Sequence, residues 1–430
     1  MAGYATPEAH RQGSLPRERL SILWLSHLVP YPPMGGVLQR SFNLLRQVAE
    51  QHDVHLLAFN QRSLLTTEAA LNQSLGELGR ICASVRAMPI PYDERPLGRE
   101  RLYMSSFFSP LPFTGHWLHS EEMEDRIREV LGTRRIDLVH VDTISLAPFA
   151  VLFPDCRKVL NHHNVESHMM LRRAERERNP LARVYMLQEA WKLRRFETAV
   201  CGDFDMNLTC SRLDSARLAR HVPGVPVEEV PNGVDLAYFR PVEAPEEERS
   251  LIAVGGMKWY PNRRAMLYFA REVWPMLKRE VPDARMTVVG REPPPEVVRL
   301  GKKDPAYRVA GFVPDVRPFL QRAQVYVCPI RDGGGTRLKV LDALAMGKPL
   351  VAHPIAVEGL DVEPGRHVLI AETAREFVDR IRLLFERPEL RSQLAEEGRR
   401  LVAEKYDFDR IGTKLNHLYE GIVARHGNAP

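Results

Sequence analysis

Short apolar segments of strand length alternate with helical patterns along almost the whole chain. The segment "LSILWLS" precedes a helical pattern from about Val37 to Glu50, and "DVHLLAF" follows it. This alternation is typical of βα units, in which helices cover a parallel sheet. Since 430 residues are too many for one ordinary core, we predict an α/β protein with two doubly wound domains and a cleft between them.

The alternation is interrupted once, around Pro241. The segment "RPVEAPEEERS" is rich in proline and glutamate, which indicates an exposed linker. A second alternating series then begins with "SLIAVGG", and helical segments follow it from about Thr373. The predicted parts are a disordered tail (1–19), an N-terminal domain (20–235), a linker (236–249), a C-terminal domain (250–403) and a C-terminal helix packing back on the N-terminal domain (404–430).

The charge of the chain does not indicate a nucleic-acid-binding protein. A formal net charge of +5 suits an anionic ligand or a membrane surface but is too small to predict nucleic-acid binding. The five cysteines are scattered and form no C-x-x-C pair, as expected in a reducing compartment. The longest apolar run near the start, "LSILWL", is too short to span a bilayer. We therefore expect a cytoplasmic protein.

Three successive glycines separate a strand-like segment from a helical one in "RDGGGTRLKVLDALAMGKPLVA". The first amides of a helix are unpaired and partly positive, and glycines before them let a phosphate approach bare backbone. Arg337 and Lys339 would oppose the helix macrodipole, which makes sense if an anion binds there. The alternative is a tight turn followed by a solvated first helical turn. The predicted anion-binding residues are Gly333, Gly334, Gly335, Thr336, Arg337 and Lys339.

A second glycine loop, "PMGG", lies between the first predicted strand and the first helix. It places Gly35 and Gly36 at the carboxyl end of a strand, with Arg40 one turn into the helix. Open α/β sheets bind ligands at that edge. Many such loops are only turns, but one glycine loop in each half of the chain predicts a ligand held between the domains.

Polar residues cluster after another predicted strand, in "LNHHNVESH". The cluster consists of His162, His163, Asn164, Glu166 and His168. A metal site is one interpretation, although no zinc-type spacing such as H-E-x-x-H occurs. The other interpretations are a helix start with Asn164 as N-cap, and polar contacts to a ligand at the cleft.

With these motifs in this order, the chain resembles glycosyltransferases of the GT-B fold in the large retaining family 4, from about Leu20 to Tyr419. The resemblance rests on "PMGG", "HHNVES", "VPNGVDLAYFRP", "GGMKWYPN" and "GGGTRLKVLDALAMGKPLVA". It looks closest to sugar transferases of bacterial exopolysaccharide clusters. The resemblance implies an acceptor-binding first half, a second half that binds the nucleotide sugar, and transferase activity of the hexosyltransferase type.

The resemblance also implies roles for acids of the second half. Asp342 matches the second acid of the family's acid pair, which binds the ribose hydroxyls of the nucleotide, but here it is Asp rather than Glu. The position eight residues earlier is Gly334, not an acid. Contact with the donor sugar would then come from Asp332, the nearest acid, or from amides of the glycine loop.

The basic residues of the family are altered as well. Met257 stands near the position of the arginine that normally binds the diphosphate, with Lys258 beside it. Arg337 and Lys339 would then neutralise the diphosphate instead.

In the first half, His163 matches the histidine that reaches the donor sugar, and Gly35 and Gly36 match the loop that faces the diphosphate and the acceptor. Arg40, Asn164 and Lys258 complete the predicted donor site. The predicted catalytic residues are His163, Asp332 and Asp342.

The chemistry implied by the resemblance needs few protein groups. In a retaining transferase the departing phosphate oxygen can take the proton of the acceptor, so we expect no dedicated base, no cofactor and no metal. The expected partners are a nucleotide-diphosphate sugar and a sugar or lipid-linked saccharide acceptor. One alternative is a non-catalytic nucleotide-sugar-binding protein, because the acid pair is incomplete. The other is a nucleotide-sugar 2-epimerase, whose carboxylate constellation is not found.

The segment 168–197 is rich in arginine and has apolar residues at helical spacing after Pro180. A basic amphipathic helix that bears Trp and Tyr can lie on an anionic membrane. The alternative is an ordinary solvated helix whose apolar stripe belongs to the core. The resemblance favours a weak peripheral contact at the inner face of the plasma membrane, because transferases of exopolysaccharide clusters often extend lipid-linked acceptors.

Overall fold

The computed structural model describes residues 19–95 and 97–427. Within these ranges each half of the chain forms one parallel sheet with helices between its strands. The predicted α/β fold class is therefore confirmed. The predicted tail lies outside the described residues except for Arg19, which pairs with Asp53 at 2.8 Å.

The N-terminal sheet has a switch in strand order at its centre. Its strands are β1 (Ser21–Ser26), β2 (Asp53–Asn60), β3 (Ser84–Pro89), β4 (Leu138–Val141), β5 (Arg157–Asn161), β6 (Met206–Thr209) and β7 (Val227–Glu229). They are hydrogen-bonded in the order β3-β2-β1-β4-β5-β6-β7, all parallel. The chain moves outward from β1 in both directions, so β1 and β4 border the point where such sheets bind ligands.

The C-terminal sheet repeats this arrangement. Its strands are β8 (Ser250–Val254), β9 (Arg285–Val289), β10 (Tyr307–Gly311), β11 (Val325–Cys328), β12 (Leu350–Ala352) and β13 (Leu369–Ile370). Their order is β10-β9-β8-β11-β12-β13, again parallel. The switch point lies between β8 and β11.

The helices of the N-terminal half follow the predicted alternation. They are α1 (Gly36–Gln51), α2 (Glu68–Leu78), α3 (Pro91–Glu94), α4 (Gly98–Phe108), α5 (Phe113–Trp117), α6 (Glu121–Thr133), α7 (Glu166–Glu175), α8 (Pro180–Val200) and α9 (Arg212–His221). Short 3₁₀ segments are also present at Ile144–Leu152 and Cys201–Asp203.

The helices of the C-terminal half are α10 (Tyr260–Tyr268), α11 (Trp274–Glu280), α12 (Pro295–Lys303), α13 (Arg317–Arg322), α14 (Leu338–Ala345), α15 (Ala374–Glu386), α16 (Pro388–Lys405) and α17 (Phe408–Gly427). A π-helical turn, Phe269–Val273, joins α10 to α11. None of the helices in the described part of the chain is long and apolar enough to cross a bilayer.

Both cores are built from strands that are apolar on both faces. Ile22 to Leu25 of β1 are fully buried, as a continuous apolar run in a parallel sheet requires. The segment 236–249 is mixed: Phe239 is buried and Arg317 lies 4.0 Å over the ring of Tyr238, whereas most residues after Pro241 are exposed or half-buried.

The chain returns to the N-terminal domain at its end. The backbone N–H of Val234 donates to the carbonyl of Tyr406 at 2.7 Å, and α17 then packs along α1. The predicted returning helix, 404–430, begins at Phe408, because α16 extends to Lys405. Five buried apolar residues of α17 join the core around β1 and β2: Phe408, Ile411, Leu415, Tyr419 and Ile422.

Candidate active site

The candidate site lies where the carboxyl ends of the two sheets face each other. The side-chain amide of Asn232 donates to the hydroxyl of Thr336, just after the glycine triplet. A Cβ placed on Gly36 would lie 3.5 Å from Cδ1 of Leu338, at the start of α14. The two glycine loops predicted from the sequence therefore lie on opposite sides of one gap.

Each glycine of the triplet has a neighbour that a side chain would crowd. A Cβ on Gly335 would lie 2.4 Å from Oδ1 of Asn164, and one on Gly334 would lie 3.3 Å from Cβ of Met169. Gly333 and Gly335 also have φ angles of 97° and 69°, which favour glycine. The groups that approach the last two glycines in this structure are thus side chains of the opposite domain.

The guanidinium of Arg337 turns back into the glycine loop. Its Nη atoms donate to the carbonyl oxygens of Gly334, of Gly335 at 2.8 Å and of Asp332 at 3.2 Å. Its Cζ lies 5.1 Å from the ring centroid of Trp259. Burial lowers the pKa of Arg337. The sequence predicted that this residue faces a diphosphate, whereas here it holds the loop in shape.

Lys339 fills space that a glycine after β8 leaves free. A Cβ on Gly255 would lie 2.4 Å from Nζ of Lys339. Nζ donates to Oδ1 of Asn262 at 2.6 Å, and Nδ2 of Asn262 donates to the carbonyl of Gly256 at 2.8 Å. Burial lowers the pKa of Lys339 to about 8. Burial destabilises the charged ammonium, so an anionic ligand beside Nζ would stabilise it.

Asp342 faces the N-terminal domain across the same gap. The side chain of Gln39 in α1 donates to its carboxylate, and its Oδ1 is buried without a hydrogen-bond partner. Burial raises the pKa of Asp342 to about 8, although Gln39 and Lys339 act in the opposite direction. A carboxyl group with an unused oxygen can accept hydroxyl groups of a ligand.

The carboxylate of Asp332 is engaged by both domains. Nη1 of Arg264 lies 3.1 Å from its Oδ2, and Nη1 of Arg176 lies 3.5 Å from its Oδ1. The backbone N–H of Gly333 donates to Oδ1 at 2.7 Å. The oxygens that were expected to contact a donor sugar therefore have protein partners in this structure.

His163 rests on a buried carboxylate at the end of β4. Its Nε2 lies 3.1 Å from Oδ1 of Asp142 and 3.2 Å from the backbone oxygen of the same residue. Burial disfavours the charge on Asp142, but His163 and His140 outweigh that effect and hold the pKa of Asp142 well below its usual range. With Nε2 facing Asp142, Nδ1 is the nitrogen of His163 that remains for a ligand.

His27 completes a group of potential metal ligands. Candidate ligand atoms of His27, Asp142 and His163 all lie within 4.8 Å of one another. Burial, followed by the nearby His163, lowers the pKa of His27 to about 4, so this ring is neutral near pH 7. The carboxylate of Asp142 already accepts hydrogen bonds from Ser41 and Asn161, each at 2.7 Å. These oxygens are thus satisfied by protein donors.

A chain of buried polar groups joins this cluster to the glycine loop. Arg40 is 1% exposed and donates to Oδ1 of Asn161 at 2.9 Å and to Oδ1 of Asn232 at 3.1 Å. Asn161 in turn donates to Asp142, and Asn232 donates to Thr336. Arg40 was expected to bind the donor, but the structure buries its guanidinium between these two asparagines.

One further interpretation differs from the structure. Helix α7 begins at Glu166 with Val165 as its N-cap and no side-chain cap bond, so the interpretation of Asn164 as N-cap was wrong. Lys258 is exposed, and Met257 beside it is buried. Gly35 precedes α1 with a φ of 112°, and a Cβ there would meet no atom within 4 Å.

The structure brings most of the predicted residues to this one gap. Those around it are Gly36, His163, Asn164, Gly333, Gly334, Gly335, Thr336, Lys339 and Asp342. Sequence reasoning missed Gln39, Asp142 and Asn262. The available signal was position: Asp142 ends the strand-like segment "IDLVHVD", and Asn262 lies in "GGMKWYPN".

An ion-pair cluster ties the two domains together beside the gap. The carboxylate of Glu358 lies 2.5 Å from Nη1 of Arg172 in α7 and 2.7 Å from Nη2 of Arg217 in α9. These residues are far apart in the chain, and no local pattern predicts their meeting. The cluster therefore became visible only with the fold.

Comparison with protein families divides the chain as the two sheets do. Residues 34–238 match the model described as Glycosyltransferase Family 4, and residues 248–387 match the model described as Glycosyl transferases group 1.

Two relatives of known sequence extend this comparison. An uncharacterized 44.6 kDa protein in the cps region of Klebsiella pneumoniae is 21% identical over 407 residues, which are 92% of this chain and 98% of the relative. An alpha-D-kanosaminyltransferase of Streptomyces kanamyceticus is 32% identical over 85 residues, which are 19% of this chain and 22% of the relative.

Several solved structures share the fold of this chain. Sucrose-phosphate synthase from Thermosynechococcus elongatus has a TM-score of 0.68 at 18% identity, covering 95% of this chain and 100% of that one. HepE from Anabaena, in complex with UDP, has a TM-score of 0.63 at 14% identity, covering 94% and 100%. These likenesses show the fold. Together with the two family models they show that the chain belongs to the GT-B glycosyltransferases, with a family 4 N-terminal half and a group 1 C-terminal half.

Proposed function

We propose that this glycosyltransferase moves a hexosyl group from a nucleotide-diphosphate sugar to a sugar acceptor, free or lipid-linked, in bacterial polysaccharide or glycoconjugate biosynthesis. The observation that carries the proposal is the pairing of Asp342 with Gln39 across the gap, one turn from Lys339 and next to the glycine loop. This arrangement offers a cation and a hydroxyl acceptor to one ligand.

The donor class is supported by the solved relatives. HepE was solved with UDP, with UDP and glucose, and with UDP-glucose. In this chain we assign the diphosphate to Lys339 and to the amides of the glycine loop, because an ammonium and unpaired amides are suited to phosphate oxygens. We assign the ribose hydroxyls to Asp342, whose Oδ1 is unpartnered.

The proposed mechanism follows from the charges that develop during transfer. Breaking the bond between the sugar and the phosphate leaves negative charge on the diphosphate and positive charge on the sugar. Donors fixed around the diphosphate stabilise that transition state. The departing phosphate oxygen takes the proton of the acceptor hydroxyl as the new glycosidic bond forms on the same face. The anomeric configuration is then retained, and neither a protein base nor a metal ion is needed.

We assign His163 to the donor sugar. Its Nε2 is directed at Asp142, so Nδ1 is the atom that would meet a sugar hydroxyl. A buried carboxylate behind an imidazole fixes both its orientation and its tautomer. Asp142 would thus position His163 without touching the substrate itself.

A role in polysaccharide synthesis is supported by the relative from a cps region, which matches this chain over nearly its full length. A cytoplasmic location is supported by the cysteines, all of which are free thiols in the structure: Cys82, Cys156, Cys201, Cys210 and Cys328. Free thiols are usual in a reducing compartment.

The experiment that tests the proposal begins with thermal stabilisation by a panel of nucleotide sugars. The stabilising donors are then incubated with candidate acceptors, and the anomeric configuration of the product is read by NMR. We expect transfer with retention that is unchanged in EDTA. Loss of activity in EDTA, restored by a divalent metal, would contradict the metal-free mechanism and point to His27, Asp142 and His163 as the metal site.

The diphosphate assignment has its own matched pair of variants. Lys339→Met should weaken nucleoside diphosphate binding by about 1–3 kcal/mol, the usual cost of losing a charge-assisted hydrogen bond. Lys258→Met removes an exposed lysine from the loop between β8 and α10. The affinity for nucleoside diphosphate should stay nearly unchanged in this variant. Calorimetric titration measures both. Equal losses in the two variants would contradict the assignment to Lys339.

A non-catalytic nucleotide-sugar-binding protein is the second candidate. It is favoured by the engagement of Asp332 with Arg176 and Arg264 and by the absence of an acid at Gly334. Donor binding without hydrolysis or transfer across the acceptor panel would support this candidate.

A further inference from the structure

Exposed hydrophobic side chains of the N-terminal domain concentrate on two helices, α4 and α8. Phe108 is 79% exposed, Leu181 is 81% exposed and Trp191 is 56% exposed. Isolated surface hydrophobics are ordinary, but a contiguous group marks an interaction site. We call the group formed by Met104, Phe107, Phe108, Leu181, Val184 and Trp191 the α4–α8 patch.

The two halves of the patch are held side by side by hydrogen bonds. Nε2 of Gln188 donates to the carbonyl of Phe107 at 3.0 Å. Nζ of the buried Lys192 donates to the carbonyl of Ser106 at 2.6 Å and to that of Phe107 at 3.3 Å. The ring of Tyr185 stacks 6.4 Å from that of Phe107. These contacts place the end of α4 against the middle of α8, so the exposed apolar residues form one surface.

The charges on α8 are divided between the buried and exposed faces. Both glutamates of the helix are buried: Glu189 accepts from the backbone N–H of Phe113 at 2.8 Å, and Glu197 accepts from that of Ser167 at 3.0 Å. The exposed charged residues of α8 are Arg183, Arg194 and Arg195. The solvent face of α8 is therefore apolar and cationic, with no acid on it.

This distribution supports the membrane interpretation for the α8 part of the segment 168–197, whereas the α7 part exposes Glu175 among its arginines. In a solvated helix of the usual kind, arginines and glutamates mix on the exposed face and the apolar stripe is buried. Here α8 buries apolar residues such as Leu193 and Phe196, yet it also exposes Leu181, Val184 and Trp191. The helix has a second apolar stripe that the core does not use.

We propose that the α4–α8 patch docks on an anionic lipid surface. Aromatic and aliphatic side chains next to arginines fit the boundary between headgroups and acyl chains, where the apolar groups leave water and the guanidinium groups meet lipid phosphates. A second copy of this chain fits less well, because a two-fold interface would press two copies of one patch together, and every exposed charge of α8 is an arginine.

The patch lies one helix away from the candidate active site. Helix α7 packs along α8, and its Met169 lies against Gly334 of the glycine loop. A protein resting on this patch would keep the gap between its domains close to the membrane. On the proposed function, a saccharide attached to a lipid carrier would then reach the site while its lipid stays in the bilayer.

Co-sedimentation of the full chain with vesicles tests the inference. The vesicles contain phosphatidylcholine alone or phosphatidylcholine with phosphatidylglycerol, and each is used at low and high salt. We expect recovery in the pellet with the anionic vesicles at low salt, and reduced recovery at high salt because screening weakens the arginine contacts. Equal recovery in the supernatant under all four conditions would overturn the proposal.

Variants separate the patch from other exposed hydrophobic surface. Phe108→Ser combined with Leu181→Ser should lower partitioning about tenfold or more, because each removes an apolar side chain from the buried contact. The control is Phe312→Ser in the C-terminal domain, where an exposed phenylalanine also lies beside an arginine, Arg291, at 4.1 Å. Equal losses in the double variant and the control would contradict the assignment to this patch.

Insertion can be detected directly at Trp191. Brominated lipid should quench part of the tryptophan fluorescence of the wild-type protein. In Trp191→Phe the vesicles should still bind, but that part of the quenching should be lost. Quenching that is unchanged in this variant would show that the tryptophan lies away from the bilayer.

Two further measurements keep this inference separate from the proposed function. Transfer to a soluble acceptor should be normal in the double variant, so membrane docking and catalysis fail independently. Sedimentation velocity of the wild-type protein without lipid should give a monomer. A dimer that dissociates in the double variant would assign the patch to a second copy of the chain and overturn the lipid proposal.

Discussion

Asp342 and Lys339 lie one turn apart on α14, and both are partly buried in the gap. Burial raises the pKa of the acid to about 8 and lowers the pKa of the lysine to about 8. In both residues burial removes water from the charged form, so the neutral form is favoured relative to the charged one. A ligand that brings a diphosphate to the ammonium and hydroxyl groups to the carboxylate would favour the charged form of each. Nucleotide binding and proton exchange are therefore expected to be linked at this site.

The first prediction concerns stability and pH at Asp342. An aspartate of the unfolded chain loses its proton near pH 4, whereas the folded carboxyl keeps it up to about pH 8. Between these values the folded state binds more protons, so this group lowers the free energy of unfolding as pH rises. Asp342→Asn removes the effect. Its melting temperature relative to that of the wild-type protein should therefore rise from pH 5 to pH 8.

The control for this measurement is Asp125→Asn, which changes an exposed aspartate of α6. Its melting temperature relative to the wild-type protein should stay flat over the same range. A flat difference for Asp342→Asn as well would mean that this carboxyl is ionised in the folded protein, contrary to the raised pKa.

The second prediction concerns Asp142 as a positioning residue. Asp142→Asn keeps the size of the side chain but removes the charge behind His163, so the imidazole loses its fixed tautomer. We expect kcat to fall by about tenfold or more, while the affinity for nucleoside diphosphate stays the same, since losing the partner that orients a functional histidine typically costs 10–100-fold. Steady-state kinetics and calorimetry measure the two quantities.

A double-mutant cycle separates positioning from a structural role. In a His163→Ala background, Asp142→Asn should cost little more, because the residue through which it acts is gone. Ser41→Ala removes another partner of Asp142 without touching His163 and serves as the structural control. A full additional loss in the His163→Ala background would assign Asp142 to the fold rather than to the histidine.

At the scale of elements, the start of α14 is shaped by what packs against it. The glycine triplet is followed by Arg337, whose guanidinium holds carbonyl oxygens of the loop, so the turn is stabilised from within. The glycines give room to Asn164 and Met169 of the other domain. One short segment thus connects the sheet of its own domain, the helix that follows and the opposite domain.

The third prediction is made for Gly335→Ala. The added Cβ would lie 2.4 Å from Oδ1 of Asn164, at a φ of 69°. The backbone conformation alone costs roughly 1–2 kcal/mol for a residue with a Cβ. We expect a lower melting temperature and weaker donor binding. Combining it with Asn164→Ala should recover the part that comes from the contact but leave the backbone part.

The matched control is Gly132→Ala in α6, where a Cβ meets no atom within 4 Å. That change should be neutral or stabilising by up to about 1 kcal/mol, since alanine favours a helix. Urea unfolding compares the variants. If Gly335→Ala with Asn164→Ala is no more stable than Gly335→Ala alone, the side chain of Asn164 moves aside without a cost in stability.

The elements that the sequence predicted are those with a strong local pattern. The apolar runs of β1, β4 and β8 gave the two sheets, and the glycine loops marked the edges where the site lies. The N-cap assigned to Asn164 was wrong because its side chain faces Glu166 and the glycine triplet, not the free amides of α7. The residue type indicates a possible cap, but it does not determine which group forms the hydrogen bond with the Asn164 side chain.

Side-chain direction was the other limit of the sequence. Arg40 and Arg337 were expected to face an anion, and both guanidinium groups are instead turned to protein oxygens. A sequence motif can place an arginine near a site, but it does not determine whether the guanidinium binds a ligand or a backbone carbonyl. Asp142 and Gln39 were not predicted as site residues, because their local sequence does not indicate that His163 and Asp342 lie next to them.

At the scale of the whole molecule, the two domains are joined by few polar contacts beside the gap. Glu358 pairs with Arg172 and Arg217, and Asp332 pairs with Arg176. These ion pairs are partly buried, so salt screens them less than it screens exposed pairs. The relative position of the domains is therefore expected to respond to the loss of a charged partner and to ligand.

The fourth prediction is that Glu358→Gln favours an open arrangement. Removing this charge leaves Arg172 and Arg217 close together without a counter-charge. Small-angle scattering should give a larger radius of gyration than for the wild-type protein, and nucleoside diphosphate should reduce the difference. The control Glu280→Gln acts on a surface ion pair within the C-terminal domain, with Arg375 and Arg382. An unchanged radius in both variants would mean that the other contacts across the gap keep the domains closed without Glu358.

The return of α17 to the N-terminal domain has a consequence for synthesis on the ribosome. The first 235 residues emerge as a sheet whose β1 face, with Ile22 and Trp24, is completed only by Leu415, Tyr419 and Ile422. Helix α1 covers part of that apolar face, but the part that α17 covers stays exposed during translation of the entire second domain. The N-terminal domain is thus synthesised before the C-terminal domain but finished after it, and its nascent chain is exposed to aggregation until α17 leaves the exit tunnel. A stop codon before Phe408 would release a protein with the complete C-terminal sheet and an unfinished N-terminal core.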